Sequence, residues 1–133
     1  MRFLLDTNIV SNLIREPRGG VAKRITAVGE ASVCTSIIVA SELRYGAAKK
    51  ASPRLTAQLD AVLGALDTLP FDFPGDETYG AIRTQLELAG TPIGGNDLLI
   101  AAHAISLDLT LVTDNAKEFS RVSRLRVENW LRD

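Results

Sequence analysis

Acidic side chains recur in this 133-residue chain at places where a folded α/β domain would bring them together. Asp6 and Asp114 each follow a short apolar run, whereas Glu42 and Asp97 each interrupt a segment that is otherwise apolar. Carboxylates that approach one another repel, and they need a cation or shared protons to coexist in a partly buried site. A cluster of this kind is typical of a divalent-metal site for phosphodiester chemistry.

Glu42 and Asp97 are the two acids whose surroundings are least typical of surface residues. On a helical wheel Glu42 lies within the apolar arc, between Ile38 and Val39, while Arg44 points away. A buried carboxylate without a partner is strongly unfavourable, so Glu42 should have a metal, a proton or a donor. Asp97 opens an apolar helix that should be buried and should therefore hold this carboxylate rigidly.

The elements that would position these acids alternate along the chain. Apolar runs predict strands at about residues 2–6, 31–35, 69–73, 109–113 and 125–128. Helical periodicity and capping residues predict helices over about residues 8–15, 20–29, 36–50, 52–67, 74–89 and 96–107. This alternation predicts a single α/β domain over residues 1–133, with a parallel sheet of about five strands covered on both faces. The carboxyl ends of the strands would then form the site, with Asp6 and Asp114 at that edge.

Composition indicates a globular protein, since 46% of the residues are hydrophobic and 23% are charged. No apolar run approaches the roughly 18–20 residues of a membrane span, and the N-terminal residues show no signal-peptide pattern. The single cysteine, Cys34, excludes an intrachain disulfide and is typical of a reducing compartment. We therefore expect a cytoplasmic protein that does not associate with a membrane.

The formal net charge of −1 conceals an asymmetry. If the acids gather at one site, the remaining surface is net basic and could hold a phosphate backbone. The basic residues recur in three groups, which are Arg15, Arg18, Lys23 and Arg24; Lys49, Lys50 and Arg54; and Arg121, Arg124 and Arg126.

Other chemistries find less support in the sequence. His103 is the only histidine and lies in the middle of a predicted helix, so we expect a buried, hydrogen-bonded side chain rather than a ligand. Without a second histidine or cysteine, a structural zinc site is excluded, and no serine has a histidine at a spacing known from Ser-His-Asp hydrolases. The glycines of Gly94-Gly95-Asn96 lack the Lys-Ser/Thr ending of a phosphate-binding loop.

Four segments, taken in order, resemble the motifs of PIN-domain nucleases. They are Leu4-Leu5-Asp6-Thr7-Asn8, Ser41-Glu42-Leu43-Arg44-Tyr45-Gly46, Asn96-Asp97-Leu98-Leu99-Ile100-Ala101, and Leu111-Val112-Thr113-Asp114-Asn115 with Glu118-Phe119. The closer resemblance is to the VapC toxins of bacterial toxin–antitoxin pairs, and it extends over the whole chain.

The resemblance implies a three-layer α/β/α domain and an endoribonuclease that depends on Mg²⁺ or Mn²⁺. Asp6, Glu42 and Asp97 match the three core acids of the family. Asp6 and Asp97 would bind the metal directly, and Glu42 would bind the metal or orient the attacking water. Hard carboxylate oxygens suit these ions, which acidify a bound water and offset the charge that develops on phosphate.

The fourth motif of the family usually reads Thr-x-Asp, and here the chain departs from it. The third place is Asn115, and an acid, Asp114, occupies the variable place. Either side chain could face the site, and Thr113 and Asn115 would support the ligands from behind. Asp114, Thr113 and Asn115 are therefore further candidate catalytic residues.

The resemblance also implies partners. A small VapB-like antitoxin would inhibit the enzyme, and operator DNA would be bound only through that antitoxin. The substrate would be RNA, with tRNA as the expected class, because the fourth segment resembles members that cut initiator tRNA in its anticodon loop. A homodimer is expected as well. The apolar residues of the helices at 36–50 and 54–67 exceed what one small sheet face covers, which favours a groove for an amphipathic partner.

Three other functions are possible for a chain with this arrangement of acids. A phosphoacceptor receiver domain needs adjacent acids after the first strand and a lysine near the last strand, and neither is present. A haloacid-dehalogenase-type phosphatase needs a second Asp two residues after the first, where this chain has Asn8. A catalytically idle PIN-like module that binds protein or nucleic acid is the third alternative, and the three intact core acids argue against it.

Overall fold

A computed structural model describes residues 2–132 and shows a five-stranded parallel sheet. The strands are β1 (Phe3–Leu5), β2 (Val33–Ser36), β3 (Asp67–Leu69), β4 (Thr110–Val112) and β5 (Val127–Glu128). Their order is β3-β2-β1-β4-β5, and every neighbouring pair is parallel. The predicted α/β class and the mainly parallel sheet of about five strands are confirmed.

Within residues 2–132, seven helices and one short 3₁₀ turn, Glu30–Ser32, connect the strands. The helices are α1 (Thr7–Arg15), α2 (Gly20–Val28), α3 (Ile37–Lys50), α4 (Pro53–Ala65), α5 (Gly75–Leu88), α6 (Gly95–Ser106) and α7 (Ala116–Phe119). The chain moves outward from β1 to β3 and then crosses back to β4, so right-handed crossovers place α1–α4 on one face and α5–α7 on the other. The helices thus form the outer layers of a three-layer domain.

The core forms around β1 and α6. Leu4 and Leu5 are fully buried between β2 and β4, and burying one such side chain stabilises the fold by about 1.5–3 kcal/mol. Helix α6 is buried over most of its surface, from Leu98 through Ala104, as the sequence predicted. Because α6 cannot shift without disturbing this core, its first turn is a rigid platform.

The reversal of strand order between β1 and β4 places the site. In open parallel sheets, ligands bind beyond the carboxyl ends of the strands at such a switch point. Asp6 follows β1 directly and Thr113 follows β4 directly, so these two residues flank the switch point.

Two predicted boundaries are wrong for identifiable reasons. The third strand covers Asp67–Leu69 instead of residues 69–73, because Pro70 has no N–H for the ladder and ends the strand. Helix α6 begins at Gly95, and its N-cap is Gly94, two residues before the predicted cap at Asn96. Helix α7 and the 3₁₀ turn were not predicted, since neither is long enough to show a period.

The expectation for the single histidine is confirmed, and Cys34 and Trp130 are also buried. His103 is 2% exposed and its Nδ1 lies 2.8 Å from Ser36 Oγ, so it is the buried, hydrogen-bonded histidine that was expected. Burial lowers the pKa of His103. Cys34 is buried, and Trp130 packs against Phe3 with ring centroids 5.2 Å apart. Among residues 2–132, no helix has the length and apolar character that crossing a bilayer requires.

Candidate functional site

A polar cavity of about 410 Å³ lies at the switch point. The side chains around it come from β1, α1, α3, α6 and the loop after β4, which are far apart in sequence. The lining residues are Asp6, Thr7, Asn8, Ser11, Arg15, Glu42, Asp97 and Asn115. The structure therefore brings together the three acids that the sequence singled out.

Asp6 forms the floor of this cavity and is only 4% exposed. It is also the N-cap of α1, where its Oδ1 accepts from the Thr7 backbone N–H at 2.8 Å. The Thr113 hydroxyl donates to Oδ2 at 2.7 Å. Burial raises the pKa of Asp6, and the two hydrogen bonds oppose this effect by stabilising the ionised form. One oxygen of Asp6 is thus hydrogen-bonded to the first residue of α1, and the other to the residue that follows β4.

Glu42 faces the cavity from α3 and is half-buried. Its Oε1 accepts from the Thr7 hydroxyl at 3.3 Å. Burial raises the pKa of Glu42, and the nearby charge of Asp6 raises it further. Arg44, two residues along, is exposed and pairs with Asp60 on α4, so the inward orientation predicted for Glu42 is confirmed.

Asp97 lies in the first turn of α6 and has the most perturbed carboxyl group in the cavity. Its pKa is raised to about 7, first by burial, then by a hydrogen bond to Glu118 and by the charges of Glu118, Asp6 and Glu42. A helix N-terminus favours a negative charge, yet three neighbouring acids outweigh that preference. In metal-free protein Asp97 therefore binds a proton more readily than an ordinary aspartate does, because of its burial and these acids.

Glu118 is an acid beside the cavity that the sequence analysis did not single out as a candidate site residue. Its Oε2 accepts from Asn115 Nδ2 at 2.8 Å and its Oε1 accepts from the Gly94 N–H at 3.3 Å. These donors lower the pKa of Glu118, so of the two neighbouring acids Asp97 is the one that binds a proton more readily. The signal was its position three residues after Asn115 in the fourth segment, which brings both side chains to one side of the short helix α7.

Asp114, one of the candidate catalytic residues, does not line the cavity. Its Oδ1 accepts from Asn129 Nδ2 at 3.0 Å and from Arg132 Nε at 3.1 Å. These two partners lower the pKa of Asp114. Asn115 faces the cavity instead, because the residues near the C-terminus hold Asp114 on the opposite side of the turn.

The donors around the cavity suit a hard divalent cation. They are carboxylate, hydroxyl and amide oxygens, and no ion pair among residues 2–132 neutralises Asp6, Glu42 or Asp97. No three acidic, histidine or cysteine side chains within the described part of the chain form a ready-made ligand set. Mg²⁺ keeps several waters and binds proteins through one or two carboxylates, so Asp6 and Asp97 with intervening waters fit it.

The repulsion in the cavity gives a testable dependence of stability on pH. In metal-free protein the pKa of Asp97 is higher when folded than when unfolded, so the folded state binds more protons between about pH 4 and pH 7. The contribution of Asp97 to the free energy of unfolding therefore falls as pH rises through this window. We expect Asp97→Asn to remove this fall, measured by urea denaturation with a chelator at several pH values. An unchanged pH profile would mean that Asp97 is not repelled.

An apolar groove of about 270 Å³ adjoins the cavity between α1, α3 and α4. Its apolar walls are Ile14, Leu43, Ala47, Leu55 and Leu59, with Gly46 and Lys50 between them. The groove shares Thr7, Ser11, Arg15 and Glu42 with the cavity. A molecule that occupies the groove would therefore reach the carboxylates.

Comparison with known proteins finds a family and several relatives that match nearly the whole chain. The PIN domain family matches residues 3–125. Ribonuclease VapC2 of Rickettsia felis is 39% identical over 132 residues, which covers 98% of both chains. The tRNA(fMet)-specific endonuclease VapC of Shigella flexneri is 37% identical over 131 residues, again with 98% of both chains covered.

Solved structures show the same likeness. VapBC from Salmonella typhimurium, crystallised with DNA, matches with a TM-score of 0.92 and 35% identity over 98% of both chains. VapBC2 from Rickettsia felis, bound to a DNA fragment from its promoter, matches with a TM-score of 0.88 and 37% identity over 98% of this chain and 99% of that chain.

Proposed function

The chain belongs to the PIN-domain family, within its VapC ribonucleases, and we propose that it is a divalent-metal-dependent endoribonuclease that acts as the toxin of a toxin–antitoxin pair. One observation carries the proposal more than any other, which is the convergence of Asp6, Glu42 and Asp97 on one polar cavity at the switch point. Incubation of the purified protein with RNA, with and without Mg²⁺ or Mn²⁺, tests it. An absence of cleavage under every condition would contradict it.

In this proposal Asp6 and Asp97 hold the cation, which when bound supplies positive charge to the phosphate and acidifies a water. The Thr113 hydroxyl fixes the orientation of Asp6 from behind, as supporting residues do at other metal sites. Glu42 is the residue that orients the attacking water, because its second oxygen is not used by Thr7. Cleavage requires Glu42 to accept a proton, and its raised pKa makes the carboxylate a better base.

Asn115 and Glu118 act together on the other wall. Glu118 ties the Asn115 amide to the start of α6, next to Asp97. The amide oxygen of Asn115 is then directed toward the cavity and supports bound water or RNA rather than adding a charge. This neutral fourth position favours a single tightly held ion, since a second ion would meet fewer negative ligands.

Asp114 and Asn115 give a matched pair of substitutions. We expect Asp114→Ala to leave the rate of RNA cleavage within about threefold of the unsubstituted protein, because its carboxylate pairs with Arg132 outside the cavity. Asn115→Asp adds a negative charge to the cavity and should lower the Mn²⁺ concentration that gives half-maximal activity. A fluorogenic RNA substrate measures both effects. The opposite ranking would show that Asp114 serves as the fourth acid.

We further propose that a small antitoxin like those of the VapBC complexes inhibits this protein through the apolar groove. The groove opens into the cavity, so one peptide can cover apolar side chains such as Leu43 and Leu55 and also reach Glu42. A basic side chain on that peptide would pair with the carboxylates and displace the cation. Operator DNA would be bound by the antitoxin and not by this chain, in keeping with the DNA-bound complexes of the relatives.

A homodimer is a separate part of the proposal. Ile37, Ser41 and Tyr45 lie four residues apart on one stripe of α3, on the side away from the groove. Ile37 is 46% exposed and Tyr45 is 68% exposed, which is unusual for large apolar side chains on a helix. A second copy would cover this stripe, and light scattering of the protein and of Tyr45→Lys measures whether it does.

We propose that the specific RNA substrate is initiator tRNA. The relative from Shigella flexneri is named for tRNA(fMet) and matches 98% of this chain. Polar groups from five elements surround the cavity, which suits a looped-out single strand better than a duplex. Sequencing the 5′ ends of RNA fragments that appear on expression would identify the bond, and cuts spread over unrelated RNAs would contradict the assignment.

A further inference from the structure

Arg15 is the only cationic side chain that lines the carboxylate cavity within the described residues. It lies in the last turn of α1, is exposed, and forms no ion pair with another residue between 2 and 132. Three carboxylates, Asp6, Glu42 and Asp97, share the cavity with it, and none of them forms an ion pair with Arg15. The arginine is therefore not used to neutralise the acids.

The position of Arg15 on α1 follows from helical geometry. Thr7, Ser11 and Arg15 are spaced by four residues, so their side chains form one polar stripe along the helix. The stripe starts at the carboxylates and ends at Arg15, about 12 Å along the helix axis. A phosphodiester strand that runs outward from the carboxylates along this stripe would meet a hydroxyl first and then a cation.

We propose that Arg15 binds a phosphate that flanks the scissile bond of the RNA and so positions the strand in the cavity. The inference rests on the proposed ribonuclease function and names a contact for it. Arginine suits this role, because its planar donors grip a phosphate at two points and it is always charged. Distance from the reacting phosphate keeps the positive charge away from the cation site, where it would compete with the metal.

Another role for Arg15 is structural, since a basic residue in the last turn of a helix stabilises the helix dipole. A further one is contact with a protein partner, since Arg15 also borders the apolar groove. The stripe of α1 favours RNA, because the Ser11 hydroxyl and the Arg15 guanidinium can donate to a phosphate, whereas the groove is walled by apolar side chains. Both other roles appear as outcomes of the experiment below.

Binding is measured with a fluorescent RNA hairpin in an Asp6→Asn background, where the RNA is not expected to be cut. We expect Arg15→Gln to weaken RNA affinity by about tenfold and to reduce the salt dependence of log K by about 0.7, the value of one single-strand phosphate contact. Arg15→Lys should restore the salt dependence and part of the affinity, because it keeps the charge but not the two-point grip. Arg18→Gln is the matched control, since Arg18 is exposed, lies three residues on and is outside the cavity.

Two further readouts separate positioning from a structural role. In the cleaving protein, Arg15→Gln should raise KM by about tenfold and leave kcat within about threefold, as expected for a contact made before and during the reaction. The Mg²⁺ concentration for half-maximal thermal stabilisation should not change. A shift in that concentration would show that Arg15 serves as a counter-charge for the carboxylates, and it would overturn the inference.

Equal loss of RNA affinity in Arg15→Gln and Arg18→Gln also overturns the inference, as does a loss of antitoxin binding without a loss of RNA binding. Failure of the unsubstituted protein to cut RNA counts against the proposed function alone, provided that the selective effect of Arg15→Gln on RNA affinity remains. An Asp6→Asn protein that binds no RNA overturns both.

Discussion

Replacing Asp6 or Asp97 by asparagine is expected to abolish RNA cleavage while the fold persists. Each substitution removes one of the two carboxylates that we assign to the cation. The charge stabilisation lost with it is several kcal/mol, so the rate of cleavage should fall by about 10³-fold or more. A fluorogenic RNA assay with Mg²⁺ present measures the rate, and growth inhibition on expression gives a second readout.

The fold should survive for reasons that differ between the two positions. Asparagine at position 6 can still cap α1 through its Oδ1, and its Nδ2 can donate to the Thr113 hydroxyl oxygen, which reverses the bond that Asp6 Oδ2 accepts. At position 97 it removes a carboxyl group that three neighbouring acids repel. Circular dichroism and thermal melts in the presence of a chelator should therefore show native variants.

Asp76→Asn is the matched control for this prediction. Asp76 lies in the first turn of α5, as Asp97 lies in the first turn of α6, but it is exposed and does not line the cavity. The control should cut RNA at the normal rate. Near-normal cleavage by Asp6→Asn or Asp97→Asn would show that the ligand assignment is wrong.

The sequence was sufficient to find the three acids because each was fixed by a regular element. The helical period of α3 turned Glu42 inward and Arg44 outward, and the structure agrees. The apolar surface of α6 made Asp97 part of a buried helix. Asp6 followed a buried strand, whose position at the sheet edge comes from the topology of alternating strands and helices.

The sequence was insufficient where contacts between distant segments decide the orientation of a side chain. After β4, a polar turn could present either Asp114 or Asn115 to the site. The choice is made by Asn129 and Arg132, which hold Asp114 outside. Glu118 was missed for a related reason, since its role depends on donors from Gly94 and Asn115 that helix α7, with four residues, does not reveal by periodicity.

Filling the apolar groove is expected to release the enzyme from its inhibitor without harming the enzyme. Gly46 lies in the groove on α3, and a Cβ at this position meets no atom within 4 Å. Gly46→Phe therefore adds a Cβ without a clash and directs a ring into the groove, and it removes a glycine that costs roughly 1 kcal/mol in a helix interior. The active-site carboxylates are left in place.

The experiment compares complexes of each variant with the product of the adjacent upstream reading frame. The complex of the unsubstituted protein should cut RNA at least about tenfold more slowly than the free protein, and Gly46→Phe should bind that partner at least about tenfold more weakly, a difference of about 1.4 kcal/mol. Gly80→Phe is the control, because Gly80 is an exposed helical glycine on α5, where an added Cβ also meets nothing.

The pair of glycine variants separates the groove from other surfaces that a partner could use. If Gly46→Phe and Gly80→Phe are inhibited equally, the partner binds elsewhere, and the exposed stripe of Ile37 and Tyr45 becomes the next surface to test. If the complex of the unsubstituted protein cuts RNA as fast as the free protein, no inhibitor acts at the groove. Because the groove and the cavity share Glu42, inhibition that Gly46→Phe abolishes and Gly80→Phe retains can arise only from a partner that reaches the carboxylates through the groove.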